Sequence, residues 1–260
     1  MKLQVLLSVL DLKIEDLIKM NIKSDCVVIN QCKENSFYEY KNFKIYSYCE
    51  LGTSNSRNRG LELIDGDIIL LCDDDVIYNN DYVDNVLHEF RKNEKADIIV
   101  FNIDSQNRNI KQNKKSKRLH FFNIQKYGSY RIAFKRKSIE NANIKFNTLF
   151  GPNAKYSCGE DTLFLVDAMK KGLKIYSSKV NIGTVFQYSS TWFNGYNEKF
   201  FIDKGALFTA INKRFRVLLI LQYLIRHMNI VKECKFLDAF KYMLKGSNCY
   251  VCEQNNKSLK

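Results

Sequence analysis

Proline is almost absent from this sequence of 260 residues, which contains only Pro152, and glycine is sparse at 11 residues. No stretch rich in proline, glycine or serine marks a linker, and no internal repeat is visible. These absences exclude a repeat architecture. Apolar residues make up 45% of the sequence, which is enough for a packed core and excludes wholesale disorder. The length fits one sizeable α/β domain, or one domain with a modest extension.

We also expect no secretion leader at the start of this sequence. The apolar run at residues 3–9 follows Met1 and Lys2, and it lacks the length and the small-residue cleavage site of a signal peptide. Six of the eight cysteines are irregularly spaced, and several lie inside apolar runs, so we expect them to be reduced, buried thiols in a cytoplasmic protein: Cys26, Cys32, Cys49, Cys72, Cys158 and Cys234. Cys249 and Cys252 form the only C-x-x-C pair. A structural zinc site needs four ligands, so we expect no zinc there.

Acidic residues are the minority among the charged side chains. The sequence has 28 Asp and Glu against 41 Lys and Arg, which gives a formal net charge of +13. A basic protein attracts nucleotides, nucleic acids and anionic lipid headgroups, and the charge alone does not choose among them. Residues 108–118 are dense in Lys and Arg without an apolar stripe. They form either a plain solvated loop or a loop near an anionic ligand or membrane.

The order of the apolar segments predicts an α/β sheet. Strand-like runs alternate with helical patterns in the first half of the chain, which favours right-handed crossovers between parallel strands. The predicted strands are residues 3–9, 26–30, 44–48, 67–72, 97–103, 130–135 and 173–177. The predicted helices are residues 55–64, with Thr53 or Ser54 as the N-cap, 81–92 and 161–171, and Ile14, Leu17 and Ile18 show helical spacing.

The last part of the chain has a helical pattern throughout. We therefore divide the sequence into a domain over residues 1–205 and a helical extension over residues 206–260. The longest uncharged stretch of the extension lies between Arg216 and Arg226, and a membrane span needs roughly 20 residues. Together with Lys213 and Arg214, these cations fit either a helix packed on the core or an interfacial membrane helix.

Three consecutive aspartates, Asp73, Asp74 and Asp75, follow the continuous apolar run at residues 67–72. Such a run is typical of a central parallel strand, whose carboxyl end opens into the crevice where α/β sheets bind ligands. A divalent cation would relieve the repulsion among the carboxylates, and oxygen ligands favour Mg²⁺ or Mn²⁺. In an extended chain, Asp73 and Asp75 would share the metal while Asp74 faces a ribose or sugar hydroxyl. The alternative is an acidic turn that caps the helix beginning near Asp81.

The segment GTSNSRNRG at residues 52–60 precedes this strand. It combines small residues and hydroxyls with two arginines at a predicted helix start. The free N–H groups and the positive dipole end of a helix N-terminus suit a diphosphate, and Arg57 would add a fork of donors. The alternative is an ordinary amphipathic helix with solvated arginines.

In this order, GTSNSRNRG, an apolar strand and DDD resemble the nucleotide-binding half of family 2 glycosyltransferases with the GT-A fold. The resemblance covers about residues 3–205 and implies a Rossmann-like, mixed, mainly parallel sheet flanked by helices. It places DDD at the D-x-D element that binds the metal and the donor diphosphate. It adds Asn55 and Asn58 to Arg57 as donor-binding candidates. Asn30 stands near the place of the family's acidic residue that contacts the nucleobase.

A second acidic motif, Glu160 and Asp161, opens a predicted helix. It resembles the acceptor-side motif of the same family, in which the aspartate of inverting members is the general base. A helix N-terminus lowers the pKa of a carboxylate, whereas desolvation raises it; the alternative is a plain helix cap. Trp192, the only tryptophan, is our candidate for contact with the acceptor sugar. No histidine falls between Asp161 and Trp192, where many relatives have one that completes the metal shell.

The resemblance implies a glycosyltransferase that uses Mn²⁺ or Mg²⁺ and a nucleotide sugar, with a UDP-sugar expected. The implied acceptor is a saccharide or lipid-linked saccharide of a surface polysaccharide, reached from the cytoplasm at the inner membrane face. One alternative is a sugar-phosphate nucleotidyltransferase, although the loop after the first strand lacks the Gly/Arg/Lys-rich sequence typical of that class. The other is a basic nucleic-acid-binding protein, which the charge permits without any recognisable module.

Overall fold

The structure is a computed structural model that describes residues 1–107, 110–124, 126–186, 195–231 and 234–257, without the side chains of residues 230, 231 and 257. Ten strands lie within these residues: β1 (Leu3–Leu10), β2 (Asp25–Gln31), β3 (Ser36–Tyr40), β4 (Phe43–Tyr48), β5 (Ile68–Asp73), β6 (Val76–Tyr78), β7 (Ile98–Ser105), β8 (Lys117–Arg118), β9 (Ile132–Lys135) and β10 (Ile175–Val185). All seven predicted strands are confirmed, and β10 extends well past its predicted end.

Ten α-helices lie in the same described residues: α1 (Ile14–Lys19), α2 (Thr53–Leu63), α3 (Tyr82–Lys92), α4 (Phe121–Ile124), α5 (Arg136–Asn141), α6 (Glu160–Lys170), α7 (Glu198–Ile211), α8 (Arg216–Arg226), α9 (Met228–Val231) and α10 (Phe236–Lys257). A short 3₁₀ turn at Ser129–Arg131 precedes β9. The predicted helices correspond to α2, α3 and α6, and the helical pattern after β1 corresponds to α1.

All ten strands form one mixed sheet, with the order β3-β4-β2-β1-β5-β9-β7-β10-β6 and with β8 paired to β10. Strands β4, β2, β1 and β5 are parallel neighbours, as are β7 and β10. β9 runs antiparallel between β5 and β7. The mixed, mainly parallel sheet with flanking helices therefore confirms the predicted fold class.

The carboxyl ends of the central strands lie level at one edge of the sheet. Ser8 of β1 is in register with Ile29 of β2 and with Asp73 of β5. Residues 68–72 of β5 are each at most 1% exposed, because helices and neighbouring strands cover both faces of a central parallel strand. Asp73 is the first residue of this strand to leave the core, so it stands at the ligand-binding edge.

Three short strands escaped prediction because their sequences lack a continuous apolar run. Edge strand β3 is mostly exposed, β6 has only three residues, and β8 lies in the basic segment that we expected to be a loop. Lys117 and Arg118 of β8 pair with Ser177 and Tyr176 of β10. All three strands form because they pair with the edge of another strand, and such pairing is not visible in the local sequence.

The cysteines differ from the expected set of buried thiols. Only Cys26 and Cys72 are buried, whereas Cys49, Cys249 and Cys252 are exposed. No disulfide joins cysteines within the part of the chain that the structure describes. The expectation of burial is therefore wrong for most of the cysteines that it covered, because it extended a property of the two strand cysteines to cysteines in loops.

The chain divides into two compact units. The first, Met1–Thr148 with Glu160–Ser189, contains the whole sheet; the second, Leu149–Gly159 with Ser190–Lys260, contains α7 to α10. Within the second unit, Gly205 of α7 lies against the backbone of Met243 in α10, and Gly246 lies against the backbone of Ile202, so the two helices approach without room for a side chain. The predicted boundary at residue 206 falls inside α7, and that division of the chain stays a prediction.

No helix among the described residues is long and apolar enough to cross a membrane.

Candidate active site

Helix α2 places Arg57 inside the first unit. The helix begins after Gly52, whose φ of 110° is a backbone conformation that suits glycine. The predicted N-cap at Thr53 or Ser54 is wrong, since both residues already belong to the helix. Gly60 lies against the side chain of Leu6 in β1, which lets the helix pack close to the sheet. Arg57 lies on the packed side and is only 3% exposed.

The aspartate triplet does not continue as an extended strand. Asp73 ends β5, and Asp74 and Asp75 form the turn that leads into β6. The expected alternation of side chains along an extended chain is therefore wrong, because the backbone reverses towards β6, which pairs with β10. Asp74 is exposed, while Asp73 and Asp75 are partly buried.

The second acidic motif begins helix α6. Glu160 is the first residue of the helix and is buried, and Asp161 follows it with partial exposure. The backbone N–H of Thr162 donates to Asp161 Oδ1 at 2.6 Å. The motif therefore lies at the positive end of the helix dipole, as the sequence predicts.

Arg57 joins the two acidic motifs directly. Its Nη2 donates to Asp73 Oδ1 at 2.7 Å, and its Nη1 donates to Glu160 Oε1 at 3.1 Å. One guanidinium thus links positions 16 and 103 residues away in sequence. Burial lowers the pKa of Arg57, but the carboxylates of Asp73 and Glu160 outweigh it and raise the pKa overall. The two motifs therefore meet around one buried cation.

Ser129 is part of this cluster, although the sequence gives no sign of it. Arg57 Nη2 donates to Ser129 Oγ at 2.7 Å, and Ser129 Oγ donates to Asp73 Oδ2 at 3.0 Å. Ser129 lies in the 3₁₀ turn before β9 and is 3% exposed. Neither its spacing nor its neighbours in sequence form a motif, so only the antiparallel insertion of β9 beside β5 reveals its role.

Tyr130 is a second residue that the sequence did not single out. Burial raises the pKa of its phenol to about 12, with Arg131 opposing and the carboxylates of Asp73 and Asp161 adding to the shift. This half-buried phenol directly follows Ser129 of the cluster in the sequence.

The electrostatics of the cluster favour a protonatable Asp161. Burial and the neighbouring Glu160 carboxylate raise the pKa of Asp161 to about 7, against the opposing effects of Arg57 and the Thr162 N–H. Desolvation therefore changes the pKa of Asp161 more than the helix N-terminus does, and these are the two opposing effects that the sequence suggested. Partial desolvation of its carboxyl group and then the Asp73 charge also raise the pKa of Asp74, although the residue as a whole is exposed.

The predicted donor-binding amides occupy different environments. Asn30 at the end of β2 is buried, donates to Ser47 Oγ at 3.1 Å and accepts from the Leu12 N–H at 2.9 Å. Asn55 donates to the Leu51 carbonyl at 3.0 Å. Both ends of the Asn58 amide bond the backbone of one residue, Phe146, at 2.8 and 2.9 Å. Donor binding by these three residues stays a prediction.

Asn58 supports the Arg57 cluster indirectly, because it holds the backbone of Phe146, whose ring lies against Arg57. The Phe146 ring that it positions lies 5.4 Å from the Arg57 guanidinium carbon, and it stacks on Phe164 of α6 with 4.4 Å between the ring centroids. An aromatic face beneath a guanidinium stabilises the cation. The pair of neighbouring residues Arg57 and Asn58 thus ties α2 to the acidic start of α6.

Trp192, the predicted acceptor-binding residue, lies outside the described residues.

The donor set at the triplet fits a cation that arrives with its substrate. Within the described residues, no group of three or more His, Cys, Asp or Glu side chains is arranged to hold a metal ion. Asp73 and Asp75 supply carboxylate oxygens only, and Mg²⁺ sites often use one or two carboxylates together with substrate phosphates and water. Asp73 keeps acceptor capacity beyond its contacts with Arg57 and Ser129, because a carboxylate has about four lone-pair sites.

Comparison with known proteins gives one family and a consistent set of folds. Residues 26–154 match the family model for glycosyl transferase family 2. The match includes Arg57 and the aspartate triplet and ends before Glu160. No curated protein sequence matches the chain significantly.

Solved structures of similar fold cover most of this chain. Residues 1–349 of S. aureus TarS, solved in complex with UDP-GlcNAc, superpose with a TM-score of 0.63 at 15% identity over 88% of this chain and 73% of that chain. The mannosyltransferase PcManGT from Pyrobaculum calidifontis, in complex with GDP-Man and Mn²⁺, has a TM-score of 0.55 at 11% identity over 100% of this chain and 81% of that chain. At these identities the superpositions establish the fold.

Proposed function

We propose that this chain, whose residues 26–154 match glycosyl transferase family 2 and whose fold is of the GT-A type, transfers a sugar from a UDP-sugar to a saccharide or lipid-linked saccharide acceptor, with inversion at the anomeric carbon. The observation that carries this proposal is the double ion pair of Arg57. These two ion pairs bring together the aspartate triplet, which is the predicted donor side, and the motif that begins with Glu160, which is the predicted acceptor side. The TarS complex with UDP-GlcNAc supports a UDP-sugar as the donor.

Asp161 is the proposed general base. Its carboxylate accepts the proton from the acceptor hydroxyl while the hydroxyl oxygen forms a bond to the anomeric carbon. The bond between that carbon and the diphosphate oxygen breaks in the same displacement, and the nucleoside diphosphate leaves with the electron pair. A base is most effective when its pKa lies near the operating pH, and the value of about 7 for Asp161 meets this condition.

Glu160 and Arg57 have the proposed role of positioning residues. Glu160 is buried and held by Arg57 at 3.1 Å, so its charge raises the pKa of Asp161 from a fixed place. Arg57 holds Asp73 on the other side at 2.7 Å. The predicted contact of Arg57 with the donor phosphates therefore becomes indirect in this proposal and acts through Asp73.

Asp73 and Asp75 are the proposed ligands of Mn²⁺ or Mg²⁺, and Asp74, which is exposed in the turn, is the proposed partner of a ribose or sugar hydroxyl. A divalent cation bound there supplies Lewis-acid stabilisation of the leaving diphosphate. The Mn²⁺ in the PcManGT complex supports this choice of metal.

The proposed setting is surface polysaccharide synthesis in the cytoplasm, with peripheral contact at the inner face of the membrane. The net charge of +13 supports contact with an anionic surface. The match of residues 26–154 to glycosyl transferase family 2 favours glycosyl transfer over the nucleotidyltransferase and nucleic-acid-binding alternatives.

A donor screen tests the proposed reaction. The full chain is incubated with UDP-, GDP- and dTDP-sugars and a panel of saccharide acceptors, with Mn²⁺, Mg²⁺ or EDTA, and release of the nucleoside diphosphate is measured. We expect release from a UDP-sugar that EDTA abolishes. Release that survives EDTA would contradict the metal requirement, and turnover of a sugar phosphate with a nucleoside triphosphate would contradict glycosyl transfer.

Asp75→Ala tests the metal ligands and has a matched control in the same region. We expect it to abolish release, whereas Asp84→Ala, which changes an exposed aspartate of α3, is expected to leave release unchanged. Binding of Mn²⁺ in the presence of UDP, followed by paramagnetic relaxation of water protons, gives a second readout. Equal Mn²⁺ binding by both variants would remove Asp75 from the metal site.

A further inference from the structure

Helix α8 of the second unit is apolar on two sides. Leu219, Ile220 and Leu224 are buried at 9%, 0% and 0% exposure on the side that packs against α7 and α10. Leu218 and Ile225 are 63% and 64% exposed. These two residues are seven positions apart, which is two helical turns, so they share one side. A helix that packed only on its own unit would carry polar residues there.

Further exposed apolar side chains lie close to both ends of the helix. Phe215, at the N-cap, is 52% exposed, Val217 is 42% exposed, and Met228 of α9 is 51% exposed. We call Phe215, Val217, Leu218, Ile225 and Met228 the outer face of α8. Large exposed apolar side chains are ordinary when scattered, but several within one short segment indicate a candidate interaction site.

Basic residues flank the outer face at both ends. Lys213 and Arg214 precede the helix, Arg216 begins it, and Arg226 ends it. None of these four cations forms a salt bridge within the described residues. The sequence from residue 204 to residue 232 contains no Asp or Glu. The charges along this segment of the chain are thus of a single sign, which favours an anionic partner.

This combination selects one kind of partner. Exposed aliphatic and aromatic side chains between unpaired cations are typical of helices that lie in the interface of an anionic bilayer. A nucleic-acid backbone would bind the cations without covering the apolar side chains. A second copy of the chain, docked face to face, would bring the two sets of cations together.

We propose that the outer face of α8 docks on the surface of an anionic phospholipid bilayer. The apolar side chains enter the boundary between headgroups and acyl chains, and Lys213, Arg214, Arg216 and Arg226 bind lipid phosphates. The inference rests on the proposed function only in placing the enzyme where a lipid-linked acceptor lies. The surface itself follows from exposure and charge.

Vesicle flotation with the full chain tests the proposal. We compare vesicles of phosphatidylcholine alone with vesicles that contain phosphatidylglycerol, at low and high salt. We expect at least tenfold stronger binding to the anionic vesicles, and weaker binding at high salt because the ionic contacts are screened. Equal binding to both compositions, or none to either, would overturn the proposal.

Two variants of the outer face and one control locate the contact. Leu218→Glu with Ile225→Glu, and separately Arg214→Gln with Arg226→Gln, are each expected to lower binding to the anionic vesicles at least tenfold. Ile18→Glu changes an aliphatic side chain that is 58% exposed on α1 and is expected to bind as the unchanged protein does. If the control lost vesicle binding, or if the two variants of the outer face kept it, the contact would lie elsewhere on the molecule.

Two further measurements separate this inference from the proposed function. Release of the nucleoside diphosphate with a water-soluble acceptor is expected to stay unchanged in all three variants, which also shows that they fold. Activity without vesicle binding would overturn the docking surface alone, and vesicle binding without activity would overturn the proposed function alone. Variants that lose binding to single-stranded RNA instead of vesicles would identify a nucleic-acid surface and contradict the membrane assignment.

Discussion

The two acidic motifs divide their carboxylates in the same way, although one ends a strand and the other begins a helix. In the triplet, Asp73 is fixed by Arg57 and Ser129, while Asp74 lies exposed in the turn that follows. In the second motif, Glu160 is buried against Arg57, while Asp161 is partly exposed and has its pKa raised to about 7. Each motif thus has an anchored carboxylate next to one with access to solvent.

The motifs differ in what the second carboxylate is suited to do. Asp74 lies exposed in a turn, where a cation or a hydroxyl of a ligand can reach its carboxylate. Asp161, desolvated beside the fixed charge of Glu160, has a pKa near neutrality and is suited to exchange a proton. Local burial, more than residue type, therefore separates a ligand-binding acid from a base.

The largest expected effect is on catalysis, from Asp161→Asn. A positioned general base contributes about 10²–10⁴-fold in rate, so we expect a loss of that size in kcat with little change in donor affinity. Nucleoside diphosphate release under saturating substrates measures it. Asp167→Asn on the same helix, with Asp167 in an exposed salt bridge to Lys170, is the control. A rate within tenfold of the unchanged enzyme would assign the base elsewhere.

The second-largest expected effect tests Arg57, the cation that both acidic motifs share. Arg57→Met leaves the buried Glu160 and the partly buried Asp73 without their cation, and breaking a buried ion pair in this way costs roughly 3–5 kcal/mol. Urea unfolding measures the free energy. Arg59→Met, in the same helix but in an exposed salt bridge to Glu50, is expected to cost about 0–1 kcal/mol. If the two variants lost equal stability, the ion pairs of Arg57 would contribute no more to the free energy of unfolding than an exposed salt bridge does.

The pH dependence sharpens the difference between the motifs. Because the base acts only when ionised, we expect the rate to fall about tenfold per pH unit below the Asp161 pKa of about 7 and to level off above it. The free energy of unfolding changes with pH in the opposite direction to the rate. A raised carboxyl pKa favours the folded state at low pH, and this contribution is lost as the pH rises through about 7.

Asp161→Asn therefore serves the pH experiment too. We expect it to be more stable than the unchanged protein at pH 8 and equally stable below pH 3.8, the ordinary pKa of aspartate. Thermal unfolding across this range measures the difference. A stability difference that did not change with pH would mean that burial leaves the pKa of Asp161 at its ordinary value.

The smallest expected effect comes from Ser129→Ala. It removes the hydroxyl between Arg57 and Asp73 and leaves their ion pair intact, so we expect about 1 kcal/mol of lost stability and a modest loss of activity. Ser138→Ala removes a hydrogen bond of 2.7 Å to Asp97 and is expected to lose similar stability without loss of activity. Equal activity in both variants would make Ser129 purely structural.

Local patterns in the sequence predict the first half of the fold well. Buried parallel strands such as β5 need continuous apolar runs, and helices such as α3 need apolar residues at helical spacing, so both are visible in one dimension. The order of GTSNSRNRG segment, apolar strand and triplet likewise leads to family 2 glycosyltransferases, whose family model matches residues 26–154. The turn at Asp74 and Asp75 was missed because β6 has only three residues and depends on β10 for pairing.

The sequence by itself determined which acids the protein has and that they end a buried strand and begin a helix, because those positions follow from hydrophobic patterning. Only the tertiary structure decided that Arg57 binds both motifs, that Ser129 completes the cluster and that Asp161 has a raised pKa. The reason is physical. Ion pairing and desolvation depend on distances between residues as far apart as Arg57 and Glu160, and these distances are fixed by the packing of α2 and α6 on the sheet.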